Sequence, residues 1–146
     1  MQYTKLKDGY MLNIRKDEKI IKTITEFCSK MNINNAKLSG IGAVKDIEIG
    51  AYNLSSKEYK KVFYNSIWEL ISFQGNIVLK DNIPFLHAHI SISDYNMECK
   101  GGHLFEASIA VAGEFFLRHY ETSAYRTLNH EIGLPSWCLN KEFLNE

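Results

Sequence analysis

The chain has 146 residues, 45% of them hydrophobic and 23% charged, the make-up of one globular domain with a real core rather than of a disordered or fibrous chain. Seventeen Lys and Arg balance seventeen Asp and Glu, for a formal net charge of zero; this argues against a nucleic-acid binder held by a general basic surface, whose affinity comes largely from phosphate neutralisation. Cys28, Cys99 and Cys138 are far apart and odd in number, which fits neither a disulfide framework nor a cysteine zinc knuckle. Without a recognisable signal peptide or an apolar run near 20 residues, a cytoplasmic protein with no membrane partner is expected.

Tyr10, Leu12 and Ile14 alternate with Met11, Asn13 and Arg15, a short strand. Ile20, Ile21, Ile24, Phe27, Cys28 and Met31 fall at helical spacing and predict an amphipathic helix over about 18–31. Asp17 would cap it, with Glu18 in its first turn, and the asparagines of 32–35 would end it. On this stripe Cys28 reads as a small buried hydrophobe. Strands follow near 36–41 and 46–53, with a bend or bulge permitted by the glycines between them. Further strands are predicted at 58–64, 66–74 and 76–80, turning at Gln74-Gly75-Asn76, and then at 85–93 and 103–120, the last bending at Gly113. The run Lys57-Glu58-Tyr59-Lys60-Lys61 is short and interrupted by a carboxylate, a solvated strand or turn. Residues 121–146 read as an irregular segment packed across the sheet. Trp68 and Trp137 read as core or interface aromatics, and His119 and His130 as surface or packing residues. The sum is a single α+β domain over 1–146: a mostly antiparallel sheet, one main N-terminal helix and small additional helical pieces.

Three of the five histidines fall between Phe85 and Leu104. In a strand, residues two apart share a face, so His87 and His89 project together while Leu86, Ala88, Ile90 and Ile92 form the opposite, apolar face. Two imidazoles on one face are a start for binding zinc or another divalent transition metal, and His103, after Gly101-Gly102, is the candidate third ligand. A hairpin centred near residue 98 would place His103 opposite Ser93 and His89 opposite Ala107, roughly 13 Å of strand from closing a site. On spacing alone, a polar surface pair plus an unrelated loop histidine is as good a reading.

The chain resembles the PPC (plant and prokaryote conserved) domain family in its free-standing prokaryotic form. The residues that carry the resemblance are Ser39-Gly40-Ile41-Gly42-Ala43-Val44; Trp68-Glu69-Leu70-Ile71-Ser72 with Gly75-Asn76-Ile77; Phe85-Leu86-His87-Ala88-His89 with Ser91 and Asp94; and Gly101-Gly102-His103-Leu104 with Glu114. They span roughly 5–120. The resemblance implies an α+β homotrimer, with a metal site at His87, His89 and His103 in many prokaryotic members. The family's plant members bind DNA through a separate arginine-glycine-arginine-proline hook, which is absent here, so no direct specific DNA binding is expected. Two functions follow. One is a zinc-binding homotrimer whose open three-histidine site takes a small molecule or anion, with Glu69 or Glu114 as general base or as orienting group. The alternative is a DNA-associated or protein-interaction module in which the metal is structural.

Overall fold

The computed structural model describes residues 1–139. Its elements in chain order are β1 (Gln2–Leu6), β2 (Gly9–Arg15), α1 (Ile20–Lys30), β3 (Ala36–Asn53), β4 (Glu58–Tyr64), β5 (Trp68–Lys80), β6 (Ile83–Ser93), β7 (Cys99–His119), β8 (Tyr125–Asn129) and β9 (Leu134–Cys138). All nine strands belong to one sheet. Hydrogen-bond ladders run from β3 to β5, β5 to β6, β6 to β7 and β7 back to β3. The long β3 and β7 can serve three neighbours each, β4, β5 and β7 for the one and β2, β3 and β6 for the other, because they bend: register shifts interrupt their ladder at Gly42/Val44, Lys45/Glu48 and Glu48/Ile49, the bulges that let a strand turn a corner. The sheet thereby closes on itself, a way of leaving fewer open edges.

The inside of this closure is the core. Leu86, Ala88, Ile90 and Ile92 of β6 point into it with Phe73, Ile77, Leu38, Ile109, Phe115 and Leu117, all buried. Phe73 and Phe115 meet edge to face with centroids 5.2 Å apart. Each of the larger side chains among these contributes on the order of 1.5–3 kcal/mol by leaving water, so the period-two pattern of β6 fixes which of its faces turns outward. Helix α1 lies against β6 and β7, burying Ile20, Ile24, Phe27 and Cys28. Burial pushes the Cys28 thiol up to about 12, which keeps it neutral and unreactive.

Several expectations are corrected. The fold is sheet-dominated. Helix α1, 11 residues long, is the only helix among the described residues, and the small additional helical pieces do not form. The C-terminal stretch up to residue 139 makes the β8–β9 hairpin instead of an irregular segment. There Tyr125, Thr127 and Leu128 favour extended backbone, and the Asn129 carboxamide accepts bonds from the Glu131 and Ile132 amides (2.9 and 3.4 Å) ahead of Gly133 at φ 72°. The remainder, 140–146, lies outside the described residues.

Asp17 does not cap the helix. It sits at φ 68° and pairs with Lys45 at 2.6 Å, while Lys19 occupies the cap position without a side-chain bond. The Glu106 carboxylate of β7 caps from across the molecule, accepting from the Ile21 and Lys22 amides at 2.9 and 3.2 Å. Helix N-termini offer such unpaired donors to any nearby anion. Gln74-Gly75-Asn76 is not a turn either. Strand β5 runs through it, and the chain reverses at Asp81 and Asn82, both at positive φ (52° and 61°), the backbone of a two-residue hairpin loop. Strand β1, with all five residues exposed, was not anticipated.

Candidate metal centre

His87 and His89 stand on the outer face of β6, with the apolar alternates beneath them in the core. His103 comes from β7, and the register decides whether it meets them. Strand β7 starts at Cys99, and Ser93 pairs with Cys99, Ser91 with Gly101 and His89 with His103. The hairpin is therefore centred at Asn96, not near 98. The Asp94 carboxylate sets the turn by accepting from the Asn96 and Glu98 amides at 2.9 and 2.8 Å, and Met97 takes φ 65°. The glycines admit the close ladder. A Cβ on Gly101 would come within 2.8 Å of the Ile90 carbonyl oxygen, and one on Gly102 within 2.8 Å of that of Gly50.

The three rings gather with centroids 5.1 Å (His87–His89), 5.1 Å (His87–His103) and 5.5 Å (His89–His103) apart. One nitrogen from each lies within 4.8 Å of the others. Bonds of about 2.0–2.1 Å to a shared tetrahedral ion would draw these nitrogens to roughly 3.3 Å. Among the described residues this is the one group of His, Cys, Asp or Glu side chains so disposed. His103 is walled by Tyr59 and Phe105, at 5.0 and 4.9 Å between centroids, and its Nδ1 is buried without a hydrogen-bond partner. A buried polar nitrogen left unpaired is costly unless something takes it up, and a metal ion on this ring is one way to do so. Burial, then the charges of His103, Arg126 and His89, pushes His87 down to about 4. Burial, then His89 and Lys61, does the same to His103. Both imidazoles are neutral at pH 7, the form that binds metal. His89 is exposed, so the group opens to solvent on one side.

Two further features of the site had no local signal in the sequence. Arg126 of β8, 8% exposed, donates to the Asn76 carboxamide oxygen at 2.8 Å and to the Pro135 carbonyl at 2.9 Å, and its Nη2 lies 3.4 Å from His87 Nδ1. On the other flank, Lys61 of β4 sits 3.9 Å over the Phe105 ring and pairs with Glu48 at 3.2 Å. Both reach the histidines through tertiary packing alone.

Glu69 and Glu114 lie elsewhere. Glu69 pairs with Ser93 at the far end of the β5–β6 ladder, and Glu114 is eleven residues beyond His103 on β7. They line one depression of the surface together with Ile41, Ile71 and Val111. His119 lies 6.4 Å from the Tyr10 ring, and the His130 carbonyl accepts from Lys57 at 2.9 Å; both are away from the cluster.

The model of the Plants and Prokaryotes Conserved (PCC) domain matches residues 1–121. The chain belongs to this family. A plant- and prokaryote-conserved protein of Pyrococcus horikoshii is 33% identical, with a TM-score of 0.86 and 97% of each chain covered. A metal-containing protein of Archaeoglobus fulgidus is 31% identical, with a TM-score of 0.83 over 94% of this chain and 95% of its own. A Bacteroides thetaiotaomicron protein described as a candidate DNA-binding protein is 28% identical, with a TM-score of 0.91 over 94% of this chain and 96% of its own. Comparison with curated proteins found no match. In this PCC-domain chain the family match ends at residue 121, so Arg126 stands outside it. No helix of the described residues is long and apolar enough to cross a membrane.

Proposed function

We propose that the protein is a zinc-binding homotrimer whose three-histidine centre is open to a small molecule or anion. The observation that carries this reading is the in-register pairing of His89 with His103, which brings three imidazoles together around one point. The orphaned Nδ1 of His103 and the metal-containing relative from Archaeoglobus fulgidus support it. Three imidazoles with a free fourth position suit zinc in its catalytic rather than its structural coordination. His87, His89 and His103 would hold the ion, which would supply Lewis-acid activation of a water on the open side. The chain's own part is to hold His87 and His103 neutral, to wall His103 with Tyr59 and Phe105, and to leave the His89 side open.

The trimer rests on a different surface. Ile41, Val111 and Phe116 are 55%, 67% and 55% exposed around the Glu69–Glu114 depression, an apolar patch of the kind that association covers. In this reading the two carboxylates lie at a subunit boundary and would act on a histidine centre only from a neighbouring copy. The free thiols Cys28, Cys99 and Cys138 suit the reducing cytoplasm. The alternative, a DNA-associated or scaffold module with a structural metal, draws on the description of the Bacteroides relative as a candidate DNA-binding protein. Zero net charge weighs against direct DNA binding.

The test loads purified protein with zinc, dialyses it and reads metal content together with mass by light scattering. One zinc per chain at three times the 16.8 kDa chain mass is expected. Metal-free protein after loading refutes the centre, and a monomer refutes the trimer. Nanomolar binding of an AT-rich duplex at about 150 mM salt would favour the alternative.

A further inference from the structure

Among the described residues Arg126 is a buried cation without an anion. Its side chain is held between Phe85 and Trp137, 5.7 and 5.9 Å from their centroids. Its two contacts with oxygen are neutral, the Asn76 carboxamide and the Pro135 carbonyl. Its Nε is buried with no hydrogen-bond partner, and among the described residues no carboxylate stands within ion-pair distance of it. A buried charge is retained when something compensates it, and a guanidinium with unspent donors is shaped for the paired oxygens of a carboxylate or phosphate. The groups around it reinforce the point. Nη2 lies 3.4 Å from a ring nitrogen of His87, and on the far side of the histidines Lys61 is partly offset by Glu48. A divalent ion held by the three imidazoles would add positive charge to a face where, among the described residues, Arg126 already has no counter-charge.

We propose that Arg126 is the anion anchor of the histidine centre: the ligand carries an oxyanion, carboxylate or phosphate, that bridges the guanidinium and the open side of the three imidazoles. The proposal rests on the zinc reading for the second half of that bridge and on Arg126 alone for the first. Asn76 is a positioning residue, holding Nη2 toward His87.

The experiment titrates inorganic phosphate, and separately acetate, into zinc-loaded and metal-free protein by calorimetry, for wild type, Arg126→Gln and Arg126→Lys, with zinc content measured alongside. Saturable binding of one or both anions to wild type is expected, weakened by about tenfold or more in Arg126→Gln. Arg126→Lys, which keeps the charge and loses the fork, should fall between them. Phosphate alone, acetate alone or both would each support the anchor and name its ligand's chemistry. Zinc-loaded wild type that binds neither anion overturns the proposal and leaves the metal reading standing, and so does equal anion affinity in wild type and both variants. Should the protein take no zinc, the metal reading fails, and Arg126-dependent binding by metal-free protein still decides for or against the anchor. Circular dichroism shows whether Arg126→Gln is folded, and Arg126→Lys carries the test where it is not.

Discussion

Two outer surfaces of the same closed sheet differ in kind. On the surface formed by β6 and the start of β7, two of the three imidazoles are half-buried, His103 is walled by aromatic rings, and the group is flanked by cations. On the surface around Glu69 and Glu114, carboxylates border a depression between exposed Ile41, Ile71 and Val111. The first spends buried polar atoms, including a histidine nitrogen left without a partner, which in the proposed centre a metal ion takes up. The second spends exposed apolar area, which in the proposed trimer another copy covers. The lesson is that a carboxylate in a family motif and a histidine in the same motif need not serve one chemistry inside one subunit.

The largest effect that would break this contrast is on the metal. Replacing His89 or His103 by alanine should abolish stoichiometric zinc, with affinity falling on the order of a hundredfold or more as one ligand of three is lost. His119→Ala should retain it, since that ring lies against Tyr10. Metal analysis after dialysis reads both, and retention of zinc by His89→Ala would remove the first surface's claim.

Next in size is assembly. Val111→Asp puts a charge in the exposed apolar patch. It should drive the assembly toward monomer at micromolar concentration while zinc content holds, because Val111 touches no part of the histidine group. A trimer that survives Val111→Asp and Ile41→Asp together would move the interface elsewhere.

The pH dependence sharpens the contrast. His87 and His103 are held near 4, below the free imidazole value of about 6.5. Between pH 7 and 5 these two take up no proton in competition with metal, so the logarithm of zinc affinity should change by on the order of one unit or less per pH unit. A slope of two or more would mean that the rings are less buried than their packing indicates. For metal-free protein the sign runs with the unfolded chain, which binds protons at these two positions from about pH 6.5 downward while the folded chain does not. Stability should therefore fall as pH drops from about 6.5 to 4, and thermal melts across that window read it.

The smallest effect is a control on both surfaces. Glu106→Ala removes the cap on α1 and should cost about 1 kcal/mol, a drop in melting temperature of a few degrees. Zinc content and oligomeric mass should stay unchanged.

Much of the core was legible, because burial imposes a period. The alternation of 85–93 announced that His87 and His89 share the face away from Leu86, Ala88 and Ile90, and the helical spacing from Ile20 announced α1 within one or two residues at each end. Where no face is buried there is no period to read, and β1, exposed along its whole length, was invisible. Gln74-Gly75-Asn76 misled because its composition is that of a turn, while its ladder with His87, Ala88 and His89 overrides that preference.

What the sequence by itself determined is therefore local: which residues line each face of β6, where the helix lies, and that three scarce histidines fall in one stretch. What only the tertiary structure decided is non-local. The meeting of His89 with His103 depends on a turn set by Asp94 and Met97 rather than on the spacing of the histidines, and the cap of α1 comes from Glu106, 85 residues from Ile21. Arg126 reaches His87 across 39 residues of chain. Side-chain periodicity records only whether a residue faces the core, whereas these contacts are chosen by which strands pair and in what register, and that choice is made by the whole sheet closing at once.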